Sequence, residues 1–450
     1  MKKNRFFSAL LSLLLLLACA LPAAALDDPQ PNCGAAIVVD GDYGDVLYSF
    51  HGYDKMYPAS ITKVMTSLLV MEALSDGRLA LDQPITASSS AVVLPEGSST
   101  QGIKAGEVLT VEQLLYCDLV ASANEACNIL AETVGGSITE FVAMMNAKAQ
   151  ELGMTGTHFV NPNGLHDEDH YTTAYDITLM ARAAMEYSTF RTIVSTTKYT
   201  VPATNLSQQR VLHTTNYLLS SAIIPGYTYS KAIGIKTGST TPAGQCLASA
   251  AVDTDGRTFS CVVLGAQTVT HEDGSRNRYS FEESKRLLEW AFQNFKRQVL
   301  LDNTFTDAIR EIPVTLSDEA DYVIAQPVGT IEATMPTDYR FDKSQLKMDL
   351  AEQVEAPVTK GTKLGTVSLV YDGVTYGTLD MVAADDVSRS DFQYYVKTAK
   401  DYLSLWWVKA LAITAAVLIA LLVIFLVFLL PRRSRRRRYS SSGRYRGRRR

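Results

Sequence analysis

Near its C-terminal end the chain runs for 21 residues, from position 410 to 430, without a charged side chain. At about 1.5 Å per residue, a helix of this length extends about 30 Å, which matches the hydrocarbon thickness of a bilayer. Trp406 and Trp407 precede the run, where interfacial aromatic residues belong, and Pro431 ends it. The sequence therefore predicts a transmembrane helix over residues 405–430.

The residues on either side of this helix differ strongly in charge. Eleven arginines and no acidic residue lie between Arg432 and Arg450. Because positive flanks stay in the cytoplasm, residues 431–450 are expected to form an Arg-rich cytoplasmic tail that meets anionic lipid, with no nucleic acid partner. Positions 26–405 are expected on the extracytoplasmic side of the cell membrane. The net charge of −5 hides this polarity, because that stretch sets 27 basic residues against 47 acidic ones, a charge of −20.

The first 25 residues have the composition of a secretory signal peptide. Lys2, Lys3 and Arg5 precede an apolar run that reaches position 21, and alanines at 23–25 offer a signal-peptidase site. A mature chain that begins at residue 26 is therefore expected. An uncleaved membrane helix and a lipoprotein signal ending at Cys19 stay open as alternatives.

Five cysteines follow the predicted signal peptide. Their spacing fits neither a disulfide framework nor a zinc site, so buried free thiols are the favoured interpretation. The five are Cys33, Cys117, Cys127, Cys246 and Cys261.

Segment 26–298 is predicted to mix strands and helices. Strand patterns occur at 35–39, 46–48, 232–237, 245–252 and 258–266. Helical patterns occur at 60–73, 111–119, 138–152, 174–187 and 281–295. Strands at both ends of a helical middle indicate an α+β fold with one antiparallel sheet and helices packed on it.

Segment 299–397 has a different pattern and is predicted to be a separate β-rich domain. Short β runs occur at 322–325, 367–371 and 375–381, with turn signals between them. No motif with a chemical role occurs here. A spacer or protein-contact role is a hypothesis that rests on its position alone.

Three short motifs occur in order in the first of these segments. Ser60-Ile61-Thr62-Lys63 lies at a predicted helix start, Ser122-Ala123-Asn124 between two predicted helices, and Lys236-Thr237-Gly238 on a predicted strand. The patterns S-x-x-K and S-x-N are each expected by chance about once or twice in a chain of this length, and K-T-G about a tenth of a time. The order and the predicted contexts together, rather than any one motif, indicate a site.

The residue types in these motifs suit acyl transfer through a serine. A serine hydroxyl is a weak nucleophile until a base removes its proton, and Lys63 stands one helical turn from Ser60 on the same face. A lysine can act as that base if burial and a neighbouring cation lower its pKa. Lys236 can supply the second positive charge and hold a substrate carboxylate.

The remaining motif residues can position a substrate. Ser122 offers a relay hydroxyl and Asn124 an amide. Thr237 adds a hydroxyl, and Gly238, which lacks a Cβ, lets a substrate backbone approach the strand closely.

The motifs and their flanking residues resemble those of the serine-type D-alanyl-D-alanine carboxypeptidases, which are low-molecular-mass penicillin-binding proteins. The motif set is a known signature of penicillin-binding proteins and class A β-lactamases, with S-D-N in the middle place. The resemblance covers about residues 34–295. The β-rich domain followed by a C-terminal anchor also matches the family's layout. The stretches that carry it are 57–66, 119–126, 158–165, 171–176 and 234–240.

The resemblance implies both a fold and a reaction. The fold is a β-lactamase/transpeptidase-like antiparallel sheet with a helical cluster, followed by the small all-β domain, the transmembrane helix and the basic tail. The reaction removes the terminal D-Ala from peptidoglycan stem peptides through an acyl-Ser60 intermediate, with no cofactor, in cell wall biogenesis and remodelling. Penicillin and other β-lactams are expected to acylate the same serine.

The resemblance also implies a role for each motif residue. Ser60 is the nucleophile, Lys63 is its base, and Ser122 completes the catalytic set. The substrate-binding residues are Asn124, Lys236, Thr237, Gly238 and Ser239, with backbone N–H groups of Ser60 and Ser239 forming the oxyanion hole. The sequence departs from the family in its anchor, because members often end in an amphipathic helix that lies on the membrane.

Three alternatives share this fold. A D,D-endopeptidase or transpeptidase differs only in the shape of the cleft that selects the acceptor, and an inactive cell-wall-binding scaffold would retain the fold alone. A β-lactamase needs a deacylating carboxylate, but no E-x-x-x-N sequence fits, because Gly136 and Met144 follow Glu132 and Glu140 by four residues.

A metallopeptidase would be a different class of enzyme. His166 and His170 are four residues apart and lie near His158, Asp167 and Asp169. The cluster falls in a polar loop, where helical ligand geometry does not apply. Local hydrogen bonding is the favoured interpretation, and no metal site is predicted.

Overall fold

Strands from both ends of the first predicted segment meet in one sheet in the computed structural model, which describes residues 28–270 and 276–429. The strands up to residue 278 are β1 Ala35–Asp40, β2 Val46–Phe50, β3 Pro84–Thr86, β4 Val108–Thr110, β5 Lys198–Val201, β6 Arg210–His213, β7 Ala232–Thr240, β8 Gly244–Val252, β9 Thr258–Ala266, β10 Thr268–Thr270 and β11 Arg276–Arg278. The central sheet has the order β2-β1-β9-β8-β7, and each neighbouring pair is antiparallel. The predicted α+β class is confirmed.

Both faces of this sheet are covered, which explains the apolar run in β1. Ile37 and Val39 pack in the core that holds the helical cluster. Ala36 and Val38 pack in a second core with Leu287 of a later helix. Every residue of β1 is consequently buried, so the strand shows no apolar–polar alternation.

The helices of this unit are α1 Lys63–Ser75, α2 Val111–Leu119, α3 Asn124–Gly135, α4 Ile138–Glu151, α5 Ala174–Met185, α6 Ser188–Val194 and α7 Tyr279–Asn294. Thr110 caps α2 in a reciprocal pair with Gln113, and Ser137 caps α4. The helix predicted at 174–187 ends earlier, at Met185, and α6 starts after a break. Ten of the 13 residues of α1 are buried, so this helix carries polar side chains into the interior.

The chain divides into two compact units. The first holds the residues up to Gln298 together with Glu332–Arg340, and the second holds Val299–Ile331 and the residues from Phe341 onward. The predicted signal peptide 1–25, Cys19 within it, and the predicted tail 431–450 lie outside the described residues. Of the remaining cysteines, Cys33 is a half-buried free thiol and the other four are buried free thiols, close to the prediction.

The second unit contains the predicted all-β fold. The strands from residue 295 onward are β12 Phe295–Leu301, β13 Arg310–Thr315, β14 Tyr322–Val328, β15 Ile331–Pro336, β16 Leu346–Leu350, β17 Val354–Glu355, β18 Lys363–Tyr371 and β19 Val374–Ala383. Six of them form a sheet in the order β16-β18-β19-β14-β13-β17. The limits 299–397 for a domain stay a prediction.

Two helices follow the last strand, and only the second agrees with a sequence prediction. Helix α8 spans Asp391–Ser404, where the Ser390 hydroxyl caps its first turn by accepting a hydrogen bond from the Gln393 N–H. Its aromatic residues favour strands by propensity, which conceals the helix in the sequence. Helix α9 spans Trp406–Leu429 and is long and apolar enough to cross a membrane, as the prediction for 405–430 requires.

Candidate active site

Ser60 lies on a tight turn that several contacts hold in place. The segment Ala59–Thr62 forms a 3-10 turn directly before α1, rather than the first turn of the α-helix itself. Ala59 has a φ of +46°, in the left-handed region. A Cβ on Gly164 would lie 1.9 Å from the Ala59 carbonyl oxygen, so only glycine fits beside this turn. The Ser60 side chain is half-buried, and its hydroxyl faces the amine of Lys63.

A buried histidine supports the same turn through one intermediate side chain. The Thr62 hydroxyl donates to the Ala59 carbonyl at 2.9 Å and contacts His170 Nε2 at 2.8 Å. His170 Nδ1 accepts from the Val160 N–H at 3.2 Å, so Nε2 carries the proton and donates to Thr62. Burial lowers the pKa of His170 to about 4, which keeps this ring neutral at physiological pH.

Lys63 reaches Ser60 from the start of α1. Its Nζ lies 3.2 Å from Ser60 Oγ and donates to Asn124 Oδ1 and to the Asn163 carbonyl, each at 2.7 Å. The Lys63 side chain is fully buried. Three oxygen partners fix the amine beside Ser60, as the S-x-x-K spacing predicts.

Lys236 and Ser122 form the opposite side of the site. Lys236 Nζ donates to Ser122 Oγ and to the Thr237 carbonyl, both at 2.9 Å. Ser122 follows the end of α2 with a φ of +60°, and Asn124 begins α3. The Thr237 hydroxyl is 2.6 Å from that of Thr215. The structure therefore brings all three motifs together.

Burial changes the acidity of both lysines. Desolvation lowers the pKa of Lys63, while the charges of Cys127, Asp118 and Glu125 act in the opposite direction. Desolvation and then the charge of Lys63 lower the pKa of Lys236 to about 7. Two buried ammonium groups in one site disfavour each other, so one lysine gives up its proton readily near neutral pH.

Asp118 is a buried residue whose carboxyl group acts on the charges of both lysines. The sequence motifs did not identify it. Asp118 on α2 accepts a hydrogen bond from the Ser67 hydroxyl at 2.9 Å. Burial raises the pKa of Asp118 to about 6, although the charge of Lys63 opposes that shift. Its charge raises the pKa values of both lysines. Asp118 precedes Ser122 by four residues, but no periodicity marks it as charged and buried.

Strand β7 passes close to the turn that holds Ser60. A Cβ on Gly238 would lie 2.8 Å from the Pro58 carbonyl oxygen and 3.1 Å from the Ser60 nitrogen. The absent side chain thus lets the strand approach the chain's own turn. The role of Gly238 toward a substrate stays a prediction. Ser239 comes next on β7, and its hydroxyl accepts from Gln245 Nε2 at 3.0 Å.

The loop that holds the three histidines makes separate local contacts. His158 Nδ1 contacts the Asp169 carbonyl at 2.6 Å, and the His166 ring meets the Tyr57 ring edge-on at 4.7 Å. His170 points inward to Thr62. In residues 28–270 and 276–429, no group of three or more His, Cys, Asp or Glu side chains has metal-binding geometry.

The fold and this geometry define the class of the protein as a serine-type peptidase with lysines where many serine enzymes have histidine. A family model described as D-alanyl-D-alanine carboxypeptidase matches residues 23–268, more than half of the chain. The chain belongs to that family of cell wall enzymes. A second model, the C-terminal domain of penicillin-binding protein 5, matches residues 311–389.

Individual relatives match most of the chain. The D-alanyl-D-alanine carboxypeptidase DacF of Bacillus subtilis (strain 168) is 30% identical over 88% of this chain and 97% of its own length. The crystal structure of the D-alanyl-D-alanine carboxypeptidase DacD from Francisella tularensis matches with a TM-score of 0.61 and 25% identity, over 81% of this chain and 96% of that one. The Streptomyces K15 DD-transpeptidase structure matches with a TM-score of 0.53 and 29% identity, over 59% and 99%.

Proposed function

We propose that this chain removes the terminal D-Ala from peptidoglycan stem peptides and that Ser60 is the nucleophile. The observation that carries the assignment is the 3.2 Å contact between Lys63 Nζ and Ser60 Oγ inside a site that a second lysine completes. Penicillin and other β-lactams acylate the same serine. No cofactor is needed for these steps.

In the acylation step, neutral Lys63 takes the proton of Ser60 as Oγ bonds to the carbonyl carbon of the penultimate D-Ala. The backbone N–H groups of Ser60 and Ser239 stabilise the negative charge that forms on the carbonyl oxygen. When the tetrahedral intermediate collapses, the bond to the terminal D-Ala breaks. The leaving amine receives the proton that Lys63 took from Ser60, passed on by way of the Ser122 hydroxyl. Water then hydrolyses the acyl-Ser60 ester: Lys63 takes a proton from the water and returns it to Ser60 Oγ as the ester bond breaks.

Binding depends on the residues around β7. Lys236 holds the terminal carboxylate of the substrate, and the paired hydroxyls of Thr237 and Thr215 lie beside it. A bound carboxylate raises the pKa of Lys236 again, so that this lysine keeps its proton while Lys63 acts as the base. Asn124 orients Lys63 through Oδ1 and offers its NH₂ group to a substrate carbonyl.

The composition of two segments, 1–25 and 406–450, supports a location for the enzyme. We propose that residues 1–25 direct export and that α9 anchors the protein in the cell membrane. The catalytic domain, 26–298, then faces the cell wall, and residues 431–450 lie in the cytoplasm against anionic lipid. In the amino-acid sequence, domain 299–397 lies between the catalytic domain and α9.

The reaction is tested with the full chain in detergent and a peptide ending in D-Ala-D-Ala. Free D-Ala is measured with and without a glycine acceptor, and Ser60→Ala is the control. D-Ala release without the acceptor supports a carboxypeptidase. Release that requires the acceptor supports a transpeptidase, and no release from the wild type supports a scaffold.

A further inference from the structure

A cavity of about 570 Å³ lies between helix α7 and the segment that leads into β7. Its polar lining consists of Thr228, Tyr229, Ser230, Lys231, Lys285 and Glu289. Leu218 and Tyr229 belong to the core that α7 covers, whereas Ala59 and Ile61, on either side of Ser60, belong to the core on the other face of the sheet. The cavity is therefore separate from the site around Ser60, and its volume is that of a small-molecule pocket.

Main-chain hydrogen bonds fix the shape of this cavity. The Tyr229 N–H donates to the Leu218 carbonyl at 2.9 Å, and the Ala232 N–H donates to the Tyr229 carbonyl at 3.0 Å. The Val252 N–H of β8 donates to the Lys231 carbonyl at 2.9 Å, which ties this segment to the central sheet. The cavity is consequently preformed and needs no ligand to assemble it.

The hydroxyl group of Tyr229 points to a ligand. Tyr229 is 7% exposed, and its buried hydroxyl has no hydrogen-bond partner among the residues that the structure describes. A buried polar group that lacks a partner costs about 1–3 kcal/mol, so a folded protein holds few of them without a reason. Burial and then the charge of Glu289 raise the pKa of Tyr229 to about 12, so the hydroxyl keeps its proton and acts as a donor.

Three half-buried charged side chains line the same cavity. Lys285 and Glu289 are four residues apart on α7 and therefore share one face of the helix. Lys231 Nζ stands 4.6 Å from the centroid of the Phe292 ring, and Lys285 Nζ donates to the Thr228 carbonyl at a long 3.5 Å. Within residues 28–270 and 276–429, none of the three charged groups forms an ion pair. Two ammonium groups and one carboxylate give the cavity a net positive charge.

We infer that this cavity binds a saccharide that carries an anionic group, either a carboxylate or a phosphate. Lys231 and Lys285 pair with the anionic group. A sugar hydroxyl accepts the hydrogen bond of Tyr229 and donates its own to Glu289, which a simple anion cannot do because it has no proton to give. The inference goes beyond the proposed function, since binding here involves none of the groups around Ser60.

The test measures Kd by isothermal titration calorimetry with the full chain in detergent and three related sugars. N-Acetylmuramic acid carries a carboxylate, N-acetylglucosamine 6-phosphate carries a phosphate, and N-acetylglucosamine is neutral. At least one charged sugar is expected to bind with a Kd below about 1 mM, and the neutral sugar at least about tenfold more weakly. The tighter of the two charged sugars identifies the anionic group.

Two variants locate the binding in this cavity. Tyr229→Phe and Lys285→Gln should each raise the Kd of the charged sugar about tenfold. Because the Tyr229 hydroxyl has no partner, Tyr229→Phe should not lower the midpoint of thermal unfolding of the sugar-free chain. Tyr322→Phe and Lys296→Gln, both at exposed positions outside the cavity, are the matched controls and should keep the wild-type Kd.

Three results would each overturn this site. The first is that neither charged sugar binds at about 10 mM, and the second is that charged and neutral sugars bind equally well. The third is a wild-type Kd in both Tyr229→Phe and Lys285→Gln, which would place the sugar elsewhere on the chain. None of these results bears on the reaction at Ser60, because penicillin acylation of the same preparation tests that site separately.

Discussion

The active site and helix α9 both depart from the usual distribution of polarity, in opposite directions. In the active site, Lys63, Lys236 and Asp118 are at most 1% exposed. In α9, the apolar side chains are exposed, with Phe428 at 80%. A buried charge and an exposed apolar surface each cost free energy in water. Both features therefore point to a function rather than to the stability of the fold.

The two regions resolve the conflict differently. The buried charged groups form hydrogen bonds, and the charge of Asp118 partly offsets those of the two lysines, since desolvation of an unpaired ion costs several kcal/mol. The apolar side chains of α9 are exposed within the part of the chain that the structure describes, and the helix is long and apolar enough to cross a membrane. The comparison contrasts buried charges, whose pKa values are shifted, with exposed apolar side chains, which are compatible with a membrane anchor.

The largest expected effect concerns the exposed region. A chain that ends at Ser404 lacks α9 and should move completely from the membrane to the soluble fraction after a carbonate wash. Its rate of acylation by penicillin should stay unchanged, because Ser60 lies in the other unit. Replacing α9 by a leucine helix of equal length is the control that keeps membrane attachment. A truncated chain that stays in the washed membrane contradicts the anchor.

The next effect concerns the buried region. Lys63→Met keeps the length of the side chain but removes the base, so acylation by penicillin should slow about 10³-fold. Stopped-flow measurement with a fluorescent penicillin gives the rate. Lys198→Met, on exposed β5, should acylate at the wild-type rate. A Lys63→Met rate within tenfold of the wild type rules out Lys63 as the base.

A smaller effect tests the support of the nucleophile turn. Gly164 and Gly136 have φ values of +82° and +77°, but only Gly164 has atoms where a Cβ would lie. Gly136→Ala should lower the free energy of unfolding by about 1 kcal/mol through backbone strain. Gly164→Ala should lower it by about 3 kcal/mol and also slow acylation. Thermal unfolding in detergent compares the two, and equal losses contradict the close contact with Ala59.

The smallest effect is on pH dependence. Because the Asp118 charge raises the pKa values of both lysines, Asp118→Asn should lower them. Lys63 acts as a base only when neutral, so the acid limb of the saturating acylation rate should shift to lower pH by up to about one unit. The shift should be seen above pH 6, since the wild-type carboxyl is itself protonated below its pKa of about 6. If the acid limb of the acylation rate does not move in Asp118→Asn, the charge of Asp118 does not set the pKa of Lys63.

The sequence predicts those parts of this molecule that have local signals. The apolar runs mark β1 and α9, and the strand limits at Thr258–Ala266 agree fully with the prediction. The contact between Ser60 and Lys63 is also predicted, because the two residues are three apart in one segment.

The remaining features depend on contacts between distant residues. Thr62 and His170 are separated by 108 positions, and Lys63 and Asn163 by 100. No periodicity in one sequence encodes such pairs, so the support of the nucleophile turn and the role of Asp118 stay hidden. Helix α8 is missed for another reason, because its aromatic residues favour a strand locally while Ser390 caps a helix.

The position of the penicillin adduct is the most direct test of Ser60 as the nucleophile. The full chain is treated with benzylpenicillin, digested, and mapped by mass spectrometry, with Ser60→Ala in parallel. If Ser60 is the nucleophile, one penicilloyl group per chain is expected, on Ser60, and none in the Ser60→Ala variant. An adduct on another residue, or one that persists in the variant, would contradict this role of Ser60.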